Sequence, residues 1–147
     1  MTKTHIPQKL RRLVRERAQG YCEYCICPDS HATQTHSHDH VFPEDLGGKT
    51  TEENLALACQ GCNNGKYNKT HAPDPETQQI VPLFHPRQDN WHAHFTWNEE
   101  GLLLVGQTPT GRATIAALDL NRAGVVNFRR LLKLAGQYPP THRSASE

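Results

Sequence analysis

Residues 37–66, SHDHVFPEDLGGKTTEENLALACQGCNNGK, hold a set of side chains suited to hydrolysing a phosphodiester. At neutral pH that reaction needs a base to activate water, positive charge near the developing phosphorane and leaving oxygen, and fixed geometry. His40 can supply the base, because imidazole titrates near neutrality. Its neighbour Asp39 carries the hard oxygen that Mg²⁺ or Mn²⁺ prefers. Asn54 can hydrogen-bond across a loop and hold the base still, and Asn63 can offer the cation a second oxygen. Lys66 lies one helical turn beyond Asn63, within reach of a phosphate.

Two CxxC pairs, Cys22-Glu-Tyr-Cys25 and Cys59-Gln-Gly-Cys62, flank these residues with 33 residues between them. A CxxC turn sets two thiolates on one side of a metal, and two such turns complete a tetrahedral site. Either pair alone could be a redox motif; two pairs in a reducing compartment favour structural zinc. A closed site of this kind holds the fold and performs no chemistry. Cys27 is left over, as a competing ligand or a spare thiol in a loop.

The elements that must position these groups follow from pattern. The spacing predicts a helix over residues 7–19, with Pro7 at its first position, Ile6, Leu10, Leu13, Val14 and Ala18 on one face, and Gly20 as its stop. Residues 21–70 are rich in Cys, His, Asn and Gly, a composition that usually needs a metal to fold. HAPDPETQQIVP (71–82) reads as a connector crossing the surface. Residues 95–106 read as a β-hairpin turning at Asn98 to Gly101. Helices are predicted over 110–120 and about 122–135, the second N-capped by Asn121, with Val125, Phe128, Leu132 and Ala135 on one face and Gly136 at its end. The tail YPPTHRSASE reads as loose, and Trp91 and Trp97 as packing residues. The expected organisation is one domain over 1–147, with the helix, knuckle and site in 7–70 and an extension of hairpin and helices in 71–147.

The order Asp39-His40-Val41-Phe42-Pro43, Gly47-Gly48, Asn54-Leu55, Cys59-x-x-Cys62-Asn63 and Lys66 resembles the cysteine-bearing form of the HNH endonuclease signature. ERAQGYCEYC (16–25) is similar to the helix and first knuckle that precede the motif, so the resemblance covers roughly residues 10–70. Residues 82–114 are similar to the C-terminal extension of one bacterial HNH subgroup. The resemblance implies an α+β fold: a ββα-metal core around a cation, with a structural four-cysteine zinc site, a preceding helix, and a following hairpin and two helices. Asp39 and His40 would end the first strand, Leu55 to Ala58 would form the second, and residues from about 62 to 70 would start the helix. It also implies roles. His40 is the general base, Asp39 the first metal ligand, Asn54 the residue that orients the base, and Asn63 the third motif position of an H-N-N variant. The products would carry 5′-phosphate and 3′-hydroxyl ends. His38 departs from the pattern, since that position is usually apolar. It could be a further metal ligand, a phosphate contact, a pH-sensitive prop, or a satisfied histidine on the strand's far face.

The expected function is therefore a single-cation DNA endonuclease using Mg²⁺ or Mn²⁺, acting on double- or single-stranded DNA; the alternative is a catalytically silent zinc module that binds nucleic acid. The chain carries a net charge of only +1, but Lys3, Lys9, Arg11, Arg12, Arg15 and Arg17 stand against Glu16 alone in residues 1–21. Arg11, Arg12 and Arg15 on that helix are candidates to follow a phosphate backbone, as is Lys66. A third reading treats the His-rich stretch as metal storage. No apolar run is long enough to span a membrane, and no secretory core is legible, so a cytoplasmic setting is expected. A chain with one site needs a homodimer, or two visits, to break both strands.

Overall fold

The computed structural model describes residues 5–140; Lys3 and residues 141–147 of the tail lie outside the described residues. Two compact units divide the chain. The first takes residues up to Thr70 and a return segment, His85–Gln88; the second takes His71–Phe84 and the residues from Asp89 onward. The boundary at Thr70 falls where the Cys- and Asn-rich stretch ends. No helix among the described residues is long and apolar enough to cross a membrane.

In the first unit, helix α1 (Gln8–Ala18) starts after Pro7 and stops where Gln19 and Gly20 turn left-handed, their amides bonding back to Glu16 and Arg15 carbonyls. Its apolar stripe buries Val14 and Ala18 with Ile6 against Leu55 and Leu57. Those leucines alternate with alanines in strand β2 (Leu55–Ala58), which pairs antiparallel with β1 (Ser37–His40) in the register His38 to Leu57, Asp39 to Ala56 and His40 to Leu55. Burying a leucine side chain contributes about 1.5–3 kcal/mol, so this seam is the unit's main apolar support. Helix α2 (Gln60–Lys66) follows β2 directly, beginning two residues earlier than the sequence suggests because Cys59 caps it. The sheet is small and the helices short: a mixed α and β arrangement around the cysteine pairs.

The second unit corrects four expectations. Residues 71–82 do not simply cross the surface: β3 (His71–Pro73) and β4 (Ile80–Pro82) pair antiparallel. Their turn is built on Asp74, whose side chain takes the Glu76 amide and the Thr77 hydroxyl and meets Arg112 at 2.8 and 3.0 Å. A four-residue helix α3 (Trp91–His94) leads into the hairpin of β5 (Phe95–Trp97) and β6 (Leu104–Gly106), where Asn98 Oδ1 accepts from the Leu102 and Leu103 amides. Helices α4 (Pro109–Leu118) and α5 (Ala123–Leu134) lie where the periodicity places them. Asn121 does not cap α5, however. Its amide spans the Leu104 N–H and C=O, a stronger claim on both ends of the side chain than one capping bond. The buried face of α5 is Val125, Arg129 and Leu132, and Ala135 is exposed. Tyr138 is buried against Trp97 rather than loose. Trp91 packs against Phe95 and Trp97, as expected of packing residues.

Candidate functional site

The two CxxC pairs converge. All four sulfurs lie within 4.8 Å of one another, the only His/Cys/Asp/Glu group of metal-binding density among the described residues. Cys25 Sγ and Cys59 Sγ are 3.7 Å apart, too far for a disulfide. It is close to the roughly 3.8 Å that separates two sulfurs on a tetrahedron with Zn–S bonds of about 2.3 Å. The amides of Cys25 and Cys62 each point at the first sulfur of their own pair at 3.4 Å. Burial pushes the Cys22 thiol up, while hydrogen bonds from the Cys22, Cys25 and Cys62 thiols hold Cys59 down. A donor set of buried sulfurs with this spacing is compatible with structural zinc. Cys27 lies outside the group, and its carbonyl takes His36 Nε2 at 2.8 Å. His36 is thus a loop staple, and exposed His31 bonds only its neighbour Ser30.

The sequence between the pairs forms a loop held by one side chain. Asn54 Oδ1 accepts from the Phe42 amide, and its Nδ2 donates to the Phe42 and Lys49 carbonyls at 3.0 and 2.9 Å. Its own carbonyl receives the Val41 amide. The Gly47-Gly48 pair makes this closure possible. Gly47 sits at φ +102°, and a Cβ on Gly48 would fall 1.7 Å from the Phe42 carbonyl oxygen. Asn54 therefore fixes the chain two residues beyond His40, and it does so through backbone, not through the imidazole.

β1 presents its residues alternately. His38 and His40 are half-buried, and Asp39 between them is 5% exposed. His40 Nε2 meets Thr50 Oγ1 at 2.9 Å, and its Nδ1 lies 3.7 Å from Glu44 Oε1. His38 Nε2 donates to the Arg11 carbonyl at 3.1 Å, tying β1 to α1. Because a carbonyl only accepts, that nitrogen carries a proton, and burial lowers the ring's affinity for a second one. His38 thus joins β1 to α1 through one ring nitrogen.

Asp39 has two partners that sequence reasoning did not assign to it. The Tyr24 hydroxyl donates to Oδ2 at 2.9 Å, and Lys66 Nζ lies 3.3 Å from Oδ2 and 3.4 Å from Oδ1. Lys66 is 2% exposed and also donates to the His40 carbonyl, so its ammonium faces Asp39 instead of reaching outward to a phosphate. Burial raises the Asp39 carboxyl, opposed by the Lys66 charge and the Tyr24 bond. Tyr24 sits inside the first CxxC, which was the available signal: a residue between zinc-type cysteines shares their position. Thr50 and Glu44 were also missed, because a hydroxyl and a carboxylate in a polar loop carry no pattern.

Asp39, His40, Asn63, Glu44 and Asp45 line one cleft of about 460 Å³, together with His38 and Tyr67. A carboxylate keeps spare lone pairs after two hydrogen bonds, and Asn63 contributes an amide oxygen. Carboxylate and amide oxygens are the donor type that a hard divalent cation takes. On α1, Arg11 and Arg12 are exposed, whereas Arg15 forms a two-pronged pair with Asp29 at 2.5 and 2.6 Å. Arg17 donates to the Glu52 and Leu55 carbonyls. The structure thus brings Asp39, His40 and Asn63 to one opening, sets Asn54 behind the loop, and commits Arg15 and Lys66 to internal partners.

Residues 22–69 match the family model of the HNH endonucleases, in agreement with the resemblance read from the sequence. No curated protein and no solved structure matches the chain significantly.

Proposed function

We propose, from the premise that residues 22–69 are an HNH endonuclease domain, that the protein hydrolyses phosphodiesters in DNA with one divalent cation. The observation that carries this reading is the cleft shared by Asp39, His40 and Asn63. β1, β2 and α2 occur in the order of a ββα-metal core, with the four-cysteine cluster at the start of its helix.

His40 acts as the base. Nε2 is paired with Thr50 Oγ1 and Nδ1 faces Glu44, and the ring nitrogen without a proton takes one from water. Glu44 beside Nδ1 then stabilises the imidazolium that results. Asp39 and Asn63 would hold the cation, which when bound supplies positive charge to the phosphate and the leaving oxygen. Lys66 and Tyr24 fix the Asp39 carboxylate from behind, and Asn54 keeps the loop after His40 from moving. Exposed Arg11 and Arg12 of α1 would follow the DNA backbone, making binding fall as salt rises. Mg²⁺ or Mn²⁺ as the cation, a cytoplasmic setting, and a homodimer for double-strand breaks belong to the same reading. The silent-module alternative is not better supported: it rests on the same basic helix, of which Arg15 and Arg17 are tied internally.

The test is cleavage of plasmid by purified protein with Mg²⁺ or Mn²⁺, beside His40→Ala. The variant should lose about 10²- to 10⁴-fold in rate, the contribution of a general base, with an unchanged circular dichroism spectrum. Equal rates for the two proteins would remove His40 from the mechanism.

A further inference from the structure

Immediately after α2 the chain does something sterically costly. Tyr67 has φ +50° and ψ −115°, and the Lys69 amide closes a turn onto the Lys66 carbonyl at 2.8 Å. Those dihedrals are close to the first central position of a type II′ turn, near +60° and −120°, where glycine is the ordinary occupant. A residue with a large side chain at positive φ is strained unless its surroundings or its task require it. Packing does not explain the ring, because Tyr67 is 71% exposed. It lines the same cleft as Asp39, His40 and Asn63. Phe42, another large apolar side chain of this loop region, is also 45% exposed, and its backbone is clamped at both ends by Asn54.

We infer that Tyr67 is a DNA-contacting residue, held at a glycine-type turn so that its ring stacks on a nucleobase next to the phosphate in the cleft. The inference rests on the proposed nuclease reading. The turn fixes the backbone that carries the ring, so the ring is offered to the cleft without the chain first having to be ordered. A base offers a flat face of matching chemistry, whichever base it is. The turn places the ring one residue beyond Lys66, whose ammonium is anchored on Asp39, so ring and catalytic carboxylate share one rigid support. Stacking of this kind gives affinity without sequence readout.

The experiment compares the parent with Tyr67→Gly, Tyr67→Phe and Tyr67→Ala in thermal unfolding, plasmid cleavage, and anisotropy of a fluorescent single-stranded oligonucleotide. Tyr67→Gly should unfold at a higher temperature, because the turn is relaxed. It should nonetheless show Kd and KM raised about tenfold or more, the loss expected for one stacked base, with kcat little changed. Tyr67→Phe should keep the parent's values, and Tyr67→Ala should lose affinity without gaining stability. A glycine variant that binds and cuts like the parent overturns the inference, as does a phenylalanine variant as weak as glycine. If the parent binds the oligonucleotide but cuts nothing, the nuclease reading fails while the anisotropy series still decides the role of Tyr67. If the parent does not bind at all, both fall.

Discussion

In the unit that ends at Thr70, the most completely buried side chains include Cys22, Tyr24 and Lys66 beside Leu55 and Leu57; in the unit from His71 onward they include Phe95, Leu118, Leu120, Thr114 and Arg129. The first unit is held at two points. One is the apolar seam of α1 on β2, and the other is the cysteine cluster that joins residues 22–25 to residues 59–62. Between them runs a loop closed by polar bonds from Asn54. The second unit carries rings from Phe84 through Tyr138 in mutual contact, and its polar residues serve that packing. The contrast has a physical reason. On the proposed reading the cleft binds a cation and a polyanion, which takes polar atoms that contribute little apolar cohesion. A metal on the four cysteines would be a compact source of what is missing.

The largest effect should come from removing that source. Zinc extraction with phenanthroline, or Cys62→Ser, is expected to abolish DNA cleavage and much of the first unit's circular dichroism. Structural zinc is tied to about 10 kcal/mol or more of folding free energy in small domains. Trp91 and Trp97 both lie in the second unit, so tryptophan emission reports that unit alone. Emission should hold while cleavage disappears. If emission and cleavage are lost together at the same chelator concentration, the two units do not stand on separate supports and the comparison breaks.

The second unit has its own keystone. Arg129 is fully buried and donates to the Leu102 and Leu120 carbonyls at 2.7 and 2.9 Å and to Asn121 Oδ1 at 3.0 Å. Its guanidinium lies 5.2 Å from the Trp97 ring centroid. Arg129→Leu keeps the apolar stem but orphans two buried carbonyls at about 1–3 kcal/mol each. Chemical unfolding followed by tryptophan emission should therefore show at least about 2 kcal/mol lost. Zinc content and DNA cleavage at low temperature should remain those of the parent. A variant as stable as the parent would show that these bonds contribute nothing net.

What was legible in the sequence divides along the same line. Spacing carried the cysteine cluster, because ligand geometry is written in residue intervals, and adjacency carried Asp39 with His40. Periodicity located α1, α4 and α5, whose faces repeat every three to four residues. Contacts between groups far apart in sequence were not legible. Lys66 looked like a surface cation, and only the fold turns it onto Asp39, 27 residues away. Asn121 read as a cap, because nothing local says that a strand edge at Leu104 will need the Asn121 amide. The pairing of β3 with β4 was hidden by proline and polar residues that depress strand propensity. It depends on Asp74 meeting Arg112 across 38 positions.

That last pair gives the smallest effect and the finest test of the contrast. The Arg112 guanidinium holds the Asp74 carboxyl below the usual carboxylate range, helped by the Glu76 amide and Thr77 hydroxyl. In the unfolded chain an aspartate titrates near about 3.9. The folded value is lower, so the pair's contribution to stability is fully present above that pH and is lost as pH falls through the folded value. Urea midpoints read by tryptophan emission should then be insensitive to Asp74 titration at neutral pH and fall as the solution is taken below about pH 4. Asp74→Asn should flatten that part of the profile. Asp29, held down in the first unit by Arg15, supplies the control: Asp29→Asn should leave the tryptophan-detected profile as it was, because its titration belongs to the other unit. A profile that flattens equally for both variants would mean that acid unfolds the chain as one cooperative body, and the distinction between the two units would have no thermodynamic content.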